Sequence, residues 1–337
     1  MEKMKKNTRK IRRTKVGRPK HLSVAIVMPV YNASSILEDV LRSIEKQDYP
    51  ISRFVCVDDC STDGSGVFLK RFQKTFPFPV TIITHKKNYG WARSVNEVIP
   101  QVKTDLLITL SDDCIIQKTN GIRLLIEPFT NSTEVVESCS KLITSEETWM
   151  EYNFWLKCLF CRRVGKILSG RNSSFCCFSL AALKKIGLFD QMSFRTAGED
   201  VDIMYRLEKI GLIVDANTIA EHVHSRDPNF SLSDLVYKQN QHAEAAGATL
   251  VRSFHFDIIN LARIFFRPLI IATIFVPYAR SYALLLIVLY SVIFTKKMYL
   301  AQCKNPRIFL LPFVNIFLLF SGSFYLIRGL LSQKQRL

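Results

Sequence analysis

DLLITLSDDC, residues 105–114, sets an apolar run against two adjacent carboxylates. Asp105–Leu110 reads as a buried strand that gives way to Asp112 and Asp113. Two like charges at the end of such a strand cost several kcal/mol unless water, a donor or a cation meets them. A solvated turn, with Asp113 capping a helix, is one way to meet them. A divalent cation held at the strand end is the other.

The segments before this stretch decide its setting. Leu22–Pro29, Arg53–Val57 and Val80–Thr84 also read as strands, and Ala33–Gln47, Gly66–Thr75 and Ala92–Ile99 as the helices between them. Asn32 or Ser34 would open the first helix. Strands separated by ten to fifteen helical residues imply βαβ units and a mainly parallel sheet. Ligands of such sheets bind beyond the carboxyl ends of the strands. That rule puts VYN (30–32), DDCSTDGS (58–65) and SDD (111–113) on one edge, and the solvated turn loses ground. Taken by itself, DDCSTDG is a plain Asx-rich turn.

The net charge of +17 is local. Residues 1–20 hold ten Lys or Arg against Glu2, a solvated arm that seeks an anion. Nucleic acid is not the expected partner, since no aromatic is interleaved for base stacking. Anionic lipid head groups are, at about 1 kcal/mol per basic residue near the surface. No signal peptide is read, because Leu22–Val30 is short and strand-like. Cys158 and Cys161 form a C-x-x-C, followed by the adjacent Cys176 and Cys177. Zinc would want a second spaced pair, so reduced, buried thiols of a cytosolic domain are expected.

The character changes near Ser225. Ser231–Phe266 reads as helical, with basic residues beside apolar ones, as in a helix at a membrane surface. Leu269–Thr295 carries one charge, Arg280, and Ile308–Ile327 carries none over twenty residues, enough to cross hydrocarbon. The first run, interrupted by Pro277 and Arg280, is either one tilted span or a hairpin. Two full spans from a cytoplasmic domain would put Lys296, Lys297, Lys304 and Arg307 outside, against the positive-inside rule. The expected organisation is a basic arm (1–20), a catalytic domain (21–225), interfacial helices (226–267) and transmembrane helices (268–330).

Six motifs, in order, resemble those of the family 2 glycosyltransferases: VAIVMPVYNASSILEDVLRSIEKQDYP, VCVDDCSTDGS, NYGWARSVNEVI, LITLSDDC, GRNSSFCCFSLAALKKIGLFDQ and AGEDVDIMYRLEKIG. The resemblance covers residues 22–224. It implies the GT-A fold, a nucleotide-sugar donor and an inverting transfer needing Mg²⁺ or Mn²⁺. Asp113 would be the metal ligand, with Asp112 its supporting neighbour on the nucleotide side and His224, in EHVHS with His222, a late ligand. Pro29, Tyr31 and Asn32 would line the nucleotide pocket, Asp59 would accept hydrogen bonds from the base, and Asp58 would sit on the ribose side or brace the turn. Asp200 would be the base and Glu199 would orient it or the acceptor. A helix should start near Glu199, with Val201, Met204, Leu207 and Ile210 or Leu212 on its apolar face. The pattern departs at Ser111, where the family's D-x-D motif has its first Asp.

A base is needed for a hydroxyl acceptor and not for an anionic phosphate, so a glycan or lipid-linked glycan hydroxyl is the expected acceptor, at the cell membrane. The rival is a non-enzymatic membrane protein whose domain only binds nucleotide sugar or a partner. Ser111 favours that rival; Asp113, Glu199 and Asp200 oppose it.

Overall fold

The computed structural model describes residues 21–169, 173–192, 198–224, 228–252 and 258–334. The basic arm, the GRN of 170–172 and the boundary at Ser225 lie outside the described residues. In chain order the elements are β1 Val24–Val30, α1 Leu37–Glu45, β2 Arg53–Asp58, α2 Ser65–Phe72, β3 Val80–Thr84, α3 Trp91–Val98, β4 Leu106–Leu110 and β5 Cys114–Ile116. There follow α4 Gly121–Asn131, β6 Val135–Ile143, α5 Glu146–Glu151, α6 Phe154–Phe160, β7 Leu168–Ser169, β8 Phe175–Ser179, α7 Leu180–Ile186, α8 Glu199–Glu208 and β9 Leu212–His222. The helices α9 Leu232–Arg252, α10 Ile258–Thr273, α11 Arg280–Ile293, α12 Lys296–Ala301 and α13 Leu311–Lys334 complete the chain.

One sheet runs in the order β3-β2-β1-β4-β8-β6-β9-β5, with β7 beside β6. Its first four strands are parallel, and every residue of β1 and β4 is buried between helical layers. That is why these strands read as continuous apolar runs. From β8 onward the sheet is mixed: β8 is antiparallel to β4 and β6, while β6 and β9 run parallel. The mainly parallel sheet expected from the sequence is thus its first half. The β1–β4 ladder ends at Val27, so Pro29, with no N–H to donate, follows the last residue paired on that side.

Helix α1 begins later than expected, at Leu37, and no side chain caps it. Asn32 takes φ +52° and uses its side chain elsewhere. Helix α8 does start at Glu199, but its buried face is Asp202, Ile203 and Leu207. Val201 and Ile210 are exposed instead, because Asp202 turns inward to pair with Arg206 at 2.6 Å. Cys158, Cys161, Cys176 and Cys177 are buried and form no disulfide among the described residues.

The C-terminal helices form a unit beside the sheet domain. Pro306–Ser332 is long and apolar enough to cross a membrane. Ile264–Thr273 and Pro277–Ile293 meet at 107°, a broken span or a re-entrant turn. The basic loop between α11 and α13 folds back onto the sheet domain: Met298 and Leu311 are buried with Trp149, and Lys297 pairs with Glu146 at 2.8 Å. The basic loop and the sheet domain therefore lie on the same side of α13.

Candidate active site

Three polar turns leave the carboxyl edge of the parallel strands and are joined to one another. The turn after β2 is built on its own aspartates. Asp58 Oδ1 accepts from Ser61 N at 2.9 Å, and Asp63 Oδ1 accepts from Ser65 N at 3.0 Å, an Asx arrangement. A Cβ on Gly66 would stand 2.3 Å from Asp58 Oδ2, so the first turn of α2 fits only against bare backbone. Gly66→Ala should therefore lower stability by about 1–3 kcal/mol, read from denaturant unfolding, by forcing the buried carboxylate aside. An unchanged midpoint would show that the turn yields freely.

The exit of β1 is zipped to this turn. Asn32 N donates to Ser61 Oγ at 3.1 Å, and Asn32 Oδ1 accepts from Thr62 N at 2.8 Å. Tyr31 projects outward half-exposed, while its N–H donates to Asp112 Oδ2 at 2.8 Å. Pro29, Tyr31, Asn32, Asp58 and Asp112 thus share one edge, as the strand-end rule requires.

Asp59 sits deeper, only 3% exposed. Its Oδ1 meets His85 Nδ1 at 2.7 Å and Tyr89 N at 2.8 Å, and its Oδ2 accepts from Gly90 N at 2.7 Å. His85 Nε2 lies 2.9 Å from Glu97 Oε2. The carboxylate thus pins the loop from His85 to Gly90, with one Oδ2 lone pair left over. His85 carried no motif in the sequence; only the pairing of β2 with β3 brings it beside Asp59.

Asp112 and Asp113 lie in the tight turn from β4 to β5, where Cys114 N donates to Ser111 O, so neither caps a helix. β5 pairs antiparallel with β9, setting Cys114 opposite His222. His222 Nε2 then stands 3.0 Å from Asp113 Oδ1, and His224 Nδ1 3.2 Å from Asp113 Oδ2. Burial alone would raise the Asp113 carboxyl, but the two imidazoles hold it well below the usual range. Burial and the Asp113 charge push the Asp112 carboxyl up to about 8. His224 is lowered to about 4 by burial and by His222, so it stays neutral and able to ligate.

Phe160, at the end of α6, stacks on His224 with ring centroids 3.9 Å apart and an interplanar angle of 13°. No motif marks Phe160 in the local sequence. His222 and His224 were legible as a close pair in EHVHS, but their joint approach to Asp113 was not, because β9 ends at His222 and His224 takes φ +51°.

The donor set of one carboxylate and two imidazoles fits a divalent ion of the Mn²⁺ type, harder than zinc's thiolate partners and able to keep open positions. Asp113, Cys114 and His222 present donor atoms within 4.8 Å of one another. Burial and the neighbouring aspartates hold the buried Cys114 thiol well above its ordinary value.

Glu199 and Asp200 open α8 behind Gly198, which takes φ +99°. Asp200 Oδ1 accepts from Val201 N at 2.8 Å. Burial and the Asp200 charge raise Glu199 to about 7, and burial raises Asp200. Among the described residues no hydrogen bond or ion pair joins this pair to Asp112 or Asp113.

The family model for glycosyl transferase family 2 matches residues 25–188, from β1 past α7. Those residues belong to glycosyl transferase family 2. The family 2 domain is 23% identical over 195 residues to poly-beta-1,6-N-acetyl-D-glucosamine synthase of Staphylococcus epidermidis, 55% of this chain and 45% of that protein. It is 34% identical over 96 residues to an undecaprenyl-phosphate 4-deoxy-4-formamido-L-arabinose transferase of Pseudomonas fluorescens, 27% of each chain. The chain thus spans less than half the length of these curated relatives. The mannosyltransferase PcManGT from Pyrobaculum calidifontis, solved with GDP-Man and Mn²⁺, superposes with a TM-score of 0.56 at 14% identity, covering 93% of this chain and 87% of that one. That likeness is one of fold, and the fold is GT-A.

Proposed function

We propose that this chain is an inverting, metal-dependent glycosyltransferase that moves a sugar from a nucleotide-diphosphate donor to a hydroxyl of a glycan or lipid-linked glycan. It works at the cytoplasmic face of the cell membrane, attached by its C-terminal helices. The observation that carries the reading is Asp113 held between His222 and His224 beside the edge formed by Tyr31, Asn32 and Asp112.

The residues divide the work. Tyr31 and Asn32, braced by Asp58 through Ser61, form the wall of the nucleotide pocket. Asp59 fixes the 85–90 loop as a second wall and offers the base its remaining lone pair. Asp113, His222 and His224 would hold Mg²⁺ or Mn²⁺. When bound, that ion supplies the Lewis-acid neutralisation a leaving diphosphate needs. Asp200, on the other side, takes the acceptor proton, and Glu199 orients it. The two histidines supply donors that a motif reading SDD lacks, so Ser111 is no sign of decay.

The test is release of nucleoside diphosphate by the purified full chain with Mn²⁺ across a panel of nucleotide sugars. Turnover with at least one donor is expected. Thermal stabilisation by a donor without any turnover would leave the domain a binding module. A second test concerns Phe160. Phe160→Ala should weaken Mn²⁺ binding by roughly 10–100-fold, the usual cost of losing an outer support of a metal ligand. Phe160→Tyr should restore it by restoring the stack. Equal Mn²⁺ affinity in all three proteins would make Phe160 a packing residue only.

A further inference from the structure

The α9–α13 pair carries a contradiction that membrane spanning cannot resolve. The two helices are pinned side by side along their whole length. Leu235 and Leu311 share one cluster, and Ser321 Oγ donates to Asn240 Oδ1 at 2.9 Å. Backbones touch further on: a Cβ on Gly247 would stand 2.1 Å from Leu326 O, and one on Gly329 2.1 Å from Glu244 O. From Asn240 beside Ser321 to Gly247 beside Leu326 and Leu330 the two helices advance together, so position on α9 reads as position on α13.

On α13 the side away from α9 is a stripe of Phe313, Phe317, Phe320, Phe324, Ile327 and Leu331, all exposed. Its spacing of three and four residues draws one face over about 27 Å, at 1.5 Å per residue. On α9 the side away from α13 bears exposed Asp234 and Lys238. Lys238 lies two residues before Asn240, hence near the level of Leu319 and close to the middle of the uncharged run Ile308–Ile327. If α13 crossed a bilayer, Lys238 would sit near its centre with Asp234 one turn away, where a charge is among the most costly groups to place. Glu244, paired with Arg328 at 3.3 Å, would follow it in.

Laid along a surface, the same pair has no conflict, because its apolar and charged sides face opposite ways. The neighbouring features agree. The bend between α10 and α11 exposes Phe275, Val276 and Tyr278, residue types that suit the head-group boundary. Arg280, Lys296, Lys304 and Arg307 are exposed around this unit, matching an anionic surface. The loop before α13 is fastened to the catalytic domain, which holds the unit at that domain's level.

We infer that the C-terminal unit is monotopic: α13 lies in the plane of an anionic phospholipid bilayer with its phenylalanine stripe in one leaflet, and α9 shields it from water. This rests on the membrane attachment proposed above, and its test is independent of the transfer chemistry. The full chain, with one cysteine added after Leu337, is bound to the outside of closed phosphatidylcholine–phosphatidylglycerol vesicles and treated with a membrane-impermeant maleimide. Exposed Cys303, beside the catalytic domain, is the reference. Both cysteines are expected to label equally with and without detergent. Labelling of the added cysteine only after detergent, with Cys303 labelled throughout, would show a span and overturn the inference. Phe317→Asn with Phe324→Asn should cut retention on these vesicles at least about tenfold while donor-induced thermal stabilisation persists. Undiminished retention, or a chain that ignores vesicles and pairs with a second copy through this stripe, would also overturn it.

Discussion

Asp113→Ala is expected to abolish Mn²⁺-dependent donor binding and to lower transfer by more than about 100-fold, beyond what loss of an outer partner costs. The expectation rests on its place at the junction of two histidines that approach it at 3.0 and 3.2 Å. The fold should survive, because the contact that ties this turn to β9 is main-chain: Val223 N donates to Asp113 O at 2.9 Å. Ser111→Ala is the control. Ser111 is held through its backbone, its N–H to Ser174 O at 2.7 Å, so its side chain should be worth only a few-fold. Calorimetric titration of Mn²⁺ with a non-hydrolysable donor analogue reads both variants. Wild-type Mn²⁺ dependence in Asp113→Ala would move the metal site elsewhere.

Asp200→Asn is expected to reduce transfer by roughly 10²–10⁴-fold, the usual worth of a positioned base. A carboxylate at a helix N-terminus also has a purely structural role, satisfying backbone N–H groups for about 1 kcal/mol. The structure shows that role, in the 2.8 Å bond from Val201 N to Asp200 Oδ1. Asparagine keeps the accepting oxygen and the size and removes the basicity, so stability and donor binding should hold. The pH profile separates the roles further. Burial raises the Asp200 pKa, so the active, unprotonated form is lost as pH falls through a value above the ordinary carboxylate range. Wild-type activity should therefore rise with pH through that limb, and the limb should vanish in Asp200→Asn. Transfer within a few-fold of wild type would reduce Asp200 to a cap and favour an acceptor that is already anionic.

The parallel half of the sheet was legible in the sequence because β1 and β4, and β2 nearly so, are buried on both faces and so are mostly apolar. The turns between them carry their own Asp, Ser and Gly chemistry within a few residues, so Asp58–Ser65 announced itself. The mixed half was not legible. β6, VVESCSKLI, buries Glu137, Ser138 and Ser140, and no apolar run or alternation marks it as a strand. The inward turn of Asp202 was equally hidden, since it depends on Arg206 being there to pair with it. The C-terminal run was long enough to span by composition, but its neighbour on one side cannot be seen in composition. Asp112 and Asp113 were visible as a candidate site, whereas the two histidines that meet Asp113 were brought to it by tertiary structure. His222 is 109 residues away along the chain, and it arrives only because β5 pairs antiparallel with β9. Local sequence determines which residues must be buried and which turns can form; the register between distant strands determines which side chains meet, because a one-residue slip would turn His222 to the other face of the sheet.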